Sequence, residues 1–236
     1  MARDLAGGHV VVVPGDRWVE EAAARIAGGL EASVVARGAA SVALAGGETP
    51  RPVYQRLAAM TLPWNRIDVY FGDERAVPPD HRDSNYHMAA ETLLDPAGVP
   101  PARRHRMPAD SADCLEAAEQ YADLLPQRLD LLLLGVGRDG HTVSLFPGSP
   151  AVREAWLRVV PAHSPEPPTL RLTITPPVIA VARARLVLAR GRDKAAAVAR
   201  ALEGPDDPEQ CPAQLARPGV WLLDPDAAER LEGPPA

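Results

Sequence analysis

The segment DLLLLGVGRDGHTVSLFPG, residues 130–148, decides the fold class more than any other part of the chain. Its apolar residues Leu131–Leu134 and Val136 predict a buried strand, and the glycines around them predict a sharp turn. Asp139 and His141 follow at the carboxyl end of this strand, which is where open α/β sheets bind their ligands. A carboxylate and an imidazole two residues apart at that edge indicate proton transfer near neutral pH.

Outward from this segment, strand and helix patterns alternate along the chain. The predicted strands are His9–Val13, Ser41–Ala45, Ile67–Phe71, Leu131–Leu134, Leu170–Thr173, Leu186–Ala189 and Val220–Leu223. The predicted helices are Trp18–Val35, Pro50–Met60, Tyr86–Leu94, Asp113–Gln127, Pro177–Ala182 and Asp193–Leu202. This order predicts an α/β fold with an open, mostly parallel, Rossmann-like sheet covered by helices on both faces. No internal repeat or shift in composition divides the chain, so we expect a single domain over residues 1–236.

Length and composition exclude several classes of protein. The 236 residues, 46% hydrophobic and 24% charged, are typical of a globular protein with a substantial core. The net charge of −6 argues against nucleic-acid and anionic membrane partners, but a local basic pocket could still bind an anionic small molecule. The two cysteines, Cys114 and Cys211, are too few for a disulfide framework or a zinc site. Without a signal-peptide pattern or an apolar run of about 20 residues, we expect a cytoplasmic protein, monomeric or dimeric.

A glycine-rich turn precedes the second predicted helix. Thr49 predicts the helix N-cap, and Pro50 predicts its first residue. Gly46 and Gly47 would expose backbone N–H groups beside the positive end of the helix, so the turn can hold a phosphate or a carboxylate. A tight connection without a ligand is the alternative.

Further charged residues stand after the predicted strands Ile67–Phe71 and Leu186–Ala189, and Arg171 stands within the predicted strand Leu170–Thr173. Asp73–Arg75 open a polar loop predicted over residues 73–85, and they form either a substrate pocket or a solvated ion pair. Their place at the ligand edge favours the pocket. Arg171 and Lys194 could form a cationic clamp for a phosphate together with the glycine turn, or they could be ordinary surface charges.

Together these motifs resemble those of the 6-phosphogluconolactonases. The resemblance runs in order along the chain through residues 46–50 (family pattern G-G-S-T-P), 73–78 (D-E-R), 84–86 (S-N-Y), 135–148 (G-x-G-x-D-G-H-T-A-S-L-F-P-G), 171–173 and 191–195. One departure is Glu48, which stands where the family has serine. Its carboxylate would repel a bound phosphate unless it points away.

The resemblance implies a fold shared with glucosamine-6-phosphate deaminases and ribose-5-phosphate isomerases. It also implies hydrolysis of 6-phospho-D-glucono-1,5-lactone to 6-phospho-D-gluconate without a metal or an organic cofactor. As a hypothesis, His141 is the general base, Asp139 orients it, and Arg75 with backbone N–H groups near Gly137–Gly140 stabilises the developing charge. The substrate-binding residues expected on this basis are Gly46, Gly47, Thr49, Asp73, Gly140, Arg171 and Lys194.

Two other functions compete with lactone hydrolysis. Glucosamine-6-phosphate deaminases share the D-G-H motif and the glycine turn, but they carry an acidic residue shortly after the histidine. Residues 144–148 read SLFPG and contain no acid, which favours the lactonase. A sugar-phosphate sensor without catalysis is the second alternative. The presence of both Asp139 and His141 argues against it, because a sensor needs no base.

Overall fold

The leucine-rich strand lies inside the main sheet. The computed structural model describes residues 2–5 and 8–232. The strands are β1 (Ala2–Leu5), β2 (Gly8–Val12), β3 (Ala40–Leu44), β4 (Ile67–Phe71), β5 (Asp73–Arg75), β6 (Leu131–Gly135), β7 (Val159–His163), β8 (Leu170–Ile174), β9 (Ala184–Ala189) and β10 (Val220–Leu223). The main sheet has the order β1-β2-β10-β9-β6-β3-β4, and among these described strands the antiparallel pair is β1 with β2. The predicted mostly parallel α/β sheet is confirmed.

Six α-helices connect these strands, and most of them match the predicted segments within a few residues. They are α1 (Trp18–Arg37), α2 (Arg51–Ala58), α3 (Asn85–Ala89), α4 (Cys114–Leu124), α5 (Pro176–Val181) and α6 (Ala195–Glu203) within the described part of the chain. A π-helical turn, Ala90–Leu94, continues α3, and a 3₁₀ turn, Arg192–Lys194, leads into α6. Among residues 2–5 and 8–232, no helix combines the length and the apolar composition that crossing a bilayer requires.

The centre of the main sheet is buried on both faces. All five residues of β3 and the four leucines of β6 are buried. Since successive side chains of a strand point to opposite faces, layers of structure must cover both faces of the sheet. One hydrophobic cluster contains side chains from Val10 to Ala227, which favours the predicted single domain. Of the range predicted for it, residues 1, 6, 7 and 233–236 lie outside the described residues.

A second, antiparallel sheet of three strands corrects the sequence prediction. Its order is β5-β8-β7, so the predicted strand at Leu170–Thr173 belongs to this sheet and not to the parallel one. The predicted polar loop begins with β5, because Asp73–Arg75 pair with residues almost a hundred positions later. β7 was missed in a proline-rich stretch. It lies at the edge of this sheet, where Pro161 needs no backbone N–H for a further partner strand.

The start of α2 is also corrected. Pro50 is the N-cap, and its carbonyl accepts the first helical hydrogen bond from the Tyr54 N–H at 2.9 Å. Helical geometry therefore begins one residue later than predicted, and Thr49 precedes the cap. The shift leaves Thr49 in the turn that faces the ligand edge of the sheet.

Candidate active site

Three neighbouring parallel strands end at one edge of the main sheet and build a cleft there. The segments that follow β3, β6 and β9 line this cleft together with β5 and β8. The cleft has a volume of about 840 Å³. Ligand sites in open α/β sheets lie at such carboxyl edges, so the cleft is the candidate site.

The side chains of Asp139 and His141 form a hydrogen-bonded pair on one wall of the cleft. His141 Nδ1 lies 2.6 Å from Asp139 Oδ1, and the same oxygen accepts the His141 backbone N–H at 3.0 Å. Burial raises the pKa of the Asp139 carboxyl, but these hydrogen bonds outweigh burial and hold the pKa below its ordinary value. The ionised carboxylate accepts a hydrogen bond from the protonated Nδ1, so Nε2 is the nitrogen left to act as a base.

Glycine at position 137 makes this pair possible. A Cβ added there would lie 2.1 Å from His141 Nδ1 and 2.6 Å from Asp139 Oδ1, so every larger residue would displace the ring or the carboxylate. Gly140 adopts a φ of 93°, and its carbonyl accepts the Ala213 N–H at 2.9 Å. Arg200 donates a hydrogen bond to the Asp139 carbonyl from outside the loop. The loop is thus fixed on both sides.

Most N–H groups of this loop serve the loop itself. The Gly137 N–H donates to the His141 carbonyl at 2.8 Å, and the Gly140 N–H donates to the Gly137 carbonyl at 3.0 Å. These two groups are therefore not free to stabilise a substrate oxyanion, as the sequence had suggested for this stretch. Within the described residues, no protein acceptor receives the backbone N–H of Arg138, so this group is free to donate a hydrogen bond to a substrate oxyanion.

A strained residue follows the histidine. Val143 has a φ of 46°, a left-handed conformation that a β-branched side chain rarely adopts and that costs about 1–3 kcal/mol. The next residue holds it in place: the Ser144 N–H donates to Thr173 Oγ1 at 3.1 Å, and Ser144 Oγ donates to Asp73 Oδ2 at 2.6 Å. Ser144 is fully buried. The His141 loop is therefore anchored to β5 and β8.

The glycine turn after β3 has free donors. Residues 46–49 line the cleft, and among the described residues no protein acceptor receives their N–H groups. Gly47 has a φ of 86°, so the turn needs a residue without a Cβ there. The Glu48 side chain is 84% exposed and lies 3.2 Å from Arg51 Nε. Glu48 also lines the cleft, so its ion pair with Arg51 offsets only part of the charge that a bound phosphate would meet.

Two guanidinium groups lie side by side in the small sheet. Arg75 and Arg171 are register partners on β5 and β8, and both line the cleft. Arg171 is 8% exposed, and burial followed by the Arg75 charge lowers the pKa of its guanidinium. Arg75 Nη1 donates to the Asp83 carbonyl at 2.5 Å. Two positively charged guanidinium groups on neighbouring strands favour the binding of an anion between or beside them.

Further cations lie where β9 ends. Lys194 Nζ is 3.7 Å from Asp193 Oδ2, and the same carboxylate oxygen accepts a hydrogen bond from Arg138 Nε at 2.8 Å. Asp193 thereby joins the lysine to the loop that carries the Asp139–His141 pair. Arg190 also lines the cleft and stands 3.8 Å from Asp224.

The structure brings the predicted residues together with one exception. Lining the cleft are His141, Asp139, Arg75, Gly46, Gly47, Thr49, Asp73, Arg171 and Lys194. Gly140 is not among the described residues that line it, and a Cβ added there would meet Arg200 and Cys211. The sequence prediction missed the contributions of Asn85, Arg138, Ser144 and Arg190 to the cleft. Asn85 and Ser144 lie in the motifs 84–86 and 135–148 of the family resemblance, so the sequence could have pointed to both. Nothing in the sequence distinguished Arg138 and Arg190 from the other arginines.

The site offers no ready place for a metal ion within the described part of the chain. Within residues 2–5 and 8–232, no three His, Cys, Asp or Glu side chains are grouped so that they could hold a metal ion. The cleft instead combines one Asp–His pair with several cations. Fold and site together define an α/β protein whose cleft suits a small anionic ligand and a proton-transfer reaction.

Comparison with known proteins assigns the family. Residues 15–223 match the family described as glucosamine-6-phosphate isomerases/6-phosphogluconolactonase. This match covers most of the chain, and the chain belongs to that family. The resemblance noted in the sequence is confirmed.

Individual relatives agree with the assignment. A 6-phosphogluconolactonase of Synechocystis sp. is 39% identical over 212 residues, which cover 84% of this chain and 88% of that protein. A 6-phosphogluconolactonase of Streptomyces coelicolor is 40% identical over 235 residues and covers 90% of each chain. The solved structure of 6-phosphogluconolactonase from Trypanosoma brucei has a TM-score of 0.85 at 30% identity and covers 98% of this chain and 100% of that chain.

Proposed function

We propose that this protein hydrolyses 6-phospho-D-glucono-1,5-lactone to 6-phospho-D-gluconate, which is one step in the oxidative branch of the pentose phosphate pathway. The observation that carries the proposal is the hydrogen-bonded Asp139–His141 pair, which lies in the same cleft as paired arginines and a lysine. The first group supplies the base for ester hydrolysis, and the second suits a phosphorylated substrate. Relatives of similar length bear the name of this enzyme.

His141 acts as the general base in this reaction. Its Nε2 removes a proton from a water molecule while the water oxygen attacks C1 of the lactone. When the tetrahedral intermediate collapses, the bond between C1 and the ring oxygen breaks, and the imidazolium returns the proton to that oxygen as the 5-hydroxyl. Asp139 keeps Nδ1 protonated and stabilises the imidazolium. The carboxylic acid product then loses its own proton to solvent.

The cations and the glycine turn hold the 6-phosphate. Arg171, Lys194 and the N–H groups of residues 46–49 provide charge-assisted hydrogen bonds at a distance from C1. Binding energy from the phosphate then places the ester beside His141. Arg75 lies beside Arg171, so its guanidinium serves this same anionic region or the oxyanion at C1.

A direct assay tests the proposal. The purified protein should hydrolyse 6-phosphogluconolactone well above the spontaneous rate and should release no ammonia from glucosamine 6-phosphate. Deamination without lactone hydrolysis would assign the deaminase reaction instead. Binding of 6-phosphogluconate without turnover of either substrate would indicate a sensor. Location in the cytoplasm, and assembly as a monomer or a dimer, stay predictions from the sequence.

A further inference from the structure

A buried asparagine lies between the glycine turn and the His141 loop. Asn85 is the first residue of α3 and is 2% exposed. Glu74 fixes its backbone, because the Glu74 carboxylate accepts the N–H groups of Asn85 and Tyr86, each at 2.7 Å, and the Ser84 hydroxyl at 3.0 Å. The start of α3 is therefore tied to β5, and the Asn85 side chain has a defined direction.

The amide nitrogen of Asn85 is committed to Asp73. Nδ2 donates to the Asp73 carbonyl at 2.9 Å and lies 3.2 Å from Asp73 Oδ1. Both partners are acceptors, so the NH₂ group must face them and the amide oxygen must face the other way. The other carboxylate oxygen of Asp73 accepts the Ser144 hydroxyl at 2.6 Å. Asp73 thus connects Asn85 to the loop of the catalytic base.

The amide oxygen of Asn85 packs against Gly46 of the glycine turn. A Cβ added to Gly46 would lie 2.0 Å from Oδ1 and within 2.4 Å of two further side-chain atoms of Asn85. Oδ1 is buried and has no hydrogen-bond partner in the protein. An unpaired buried acceptor destabilises the folded state, whereas the Nδ2 donor stabilises it through its bonds to Asp73. The two ends of the amide therefore differ: the nitrogen holds Asp73, and the oxygen only contacts the glycine turn.

These contacts form a continuous path across the cleft. It runs from Gly46 to Asn85, through Asp73 to Ser144, and so to the loop that carries His141. We propose that Asn85 is a positioning residue, which sets the spacing between the glycine turn and the His141 loop. The inference rests on the proposed lactone hydrolysis. When this spacing is correct, a substrate whose phosphate is bound at the turn has its C1 atom beside His141.

Replacement of Asn85 tests the inference. Asn85→Leu keeps most of the volume and removes the donor to Asp73, and Asn85→Ala removes both volume and donor. We expect kcat/KM for 6-phosphogluconolactone to fall about 10- to 100-fold, because small misplacements of reacting groups have effects of that size. Hydrolysis of unphosphorylated gluconolactone should change much less, since that substrate is not held at the turn. The preference for the phosphorylated substrate should therefore fall.

Thr92→Val is the matched control. Thr92 is a buried polar residue in the π-helical turn after α3, and its hydroxyl donates to the Met88 carbonyl at 2.6 Å, away from the cleft. We expect this variant to lower Tm without changing the ratio between the two substrates. If the Asn85 variants lower Tm and leave the ratio at its wild-type value, the role of Asn85 is structural and the inference is overturned.

A double-mutant cycle tests the contact itself. The three closest neighbours of an added Gly46 Cβ are all atoms of Asn85, so Gly46→Ala should be less harmful in the Asn85→Ala background than in the wild type. Additive effects on kcat/KM and on 6-phosphogluconate affinity would overturn the inference. If Asn85→Leu does not fold, Asn85→Asp takes its place, because it keeps the side-chain shape and replaces the NH₂ donor with a carboxylate oxygen. A wild-type ratio of kcat/KM between the two lactones in that variant would overturn the inference. A wild-type protein without lactonase activity would overturn the proposed function instead, and the binding cycle would still test Asn85.

Discussion

Two glycine-containing turns at the edge of the main sheet use their backbones in opposite ways. In the turn of residues 46–49, no acceptor within the described chain receives the N–H groups, so they are available to a ligand. In the loop of residues 137–141, the N–H groups of both glycines bond to carbonyls of the loop, and the His141 N–H bonds to Asp139. The first turn therefore has donors free for the proposed phosphate, whereas the second uses its donors to hold the His141 loop.

The difference shows that glycine in such turns has more than one physical role. Gly47 is needed for its positive φ, a backbone conformation that residues with a Cβ rarely adopt. Gly137 is needed because a Cβ would occupy the space of the His141 ring. Mutations in the second turn should therefore reduce kcat, and loss of the cations that accompany the first turn should raise KM.

The largest effect is expected from His141→Asn. Loss of the general base should lower kcat by about 100- to 10,000-fold toward the spontaneous rate, with Tm nearly unchanged. The matched control is His9→Asn. His9 also pairs with an aspartate, because its Nδ1 lies 2.9 Å from Asp4 Oδ1, but neither residue lines the cleft. Wild-type kcat in the folded His141 variant would refute the proposed mechanism.

Gly137→Ala should come next. The added Cβ would push the imidazole out of its hydrogen bond with Asp139, and a shift of about 1 Å can lower the rate about 100-fold. Gly28→Ala is the control, because Gly28 lies in α1 outside the cleft lining and a Cβ there meets no atom within 4 Å. Stopped-flow measurement of kcat separates the two variants. Equal kcat values would show that the position of the ring does not depend on Gly137.

Lys194→Ala tests the anion side of the comparison. Removal of one charge-assisted contact should raise KM for the phosphorylated lactone about 10- to 100-fold with a smaller change in kcat. Arg171→Ala should act in the same direction. Arg192→Ala serves as the control, because its guanidinium pairs with Glu229 at 2.8 Å and does not line the cleft. An equal rise in KM for unphosphorylated gluconolactone would argue against contact with phosphate.

The smallest effect concerns acid stability. In the folded state, the pKa of Asp139 is below its ordinary value of 3.8, so the folded protein binds fewer protons there than the unfolded chain. This contribution is complete above the ordinary pKa and is lost as pH falls through the lowered one. The Tm difference between wild type and Asp139→Asn should therefore be constant above about pH 5 and shrink below about pH 4. A difference that grows in acid would contradict the assigned hydrogen bonds.

Local patterns were sufficient for much of the fold. The strands at Ile67–Phe71 and Val220–Leu223 were predicted with their observed bounds, since buried parallel strands appear as short apolar runs. β5 could not be predicted, because Asp73–Arg75 are polar and their partner strand lies far along the chain. Asn85 stood in a motif quoted for the family resemblance, but its contact with Gly46 depends on how α3 packs against the turn.

By itself, the sequence determined the parallel sheet, the sheet edge at which the candidate cleft lies, and the acid–imidazole pair of Asp139 and His141. These follow from hydrophobic periodicity and from short spacings, which are local properties. Tertiary structure decided which N–H groups are free, that Ser144 bonds to Asp73, and that Arg75 lies beside Arg171. These features depend on pairings between distant segments, and hydrogen bonds and burial assign them only once the chain has folded.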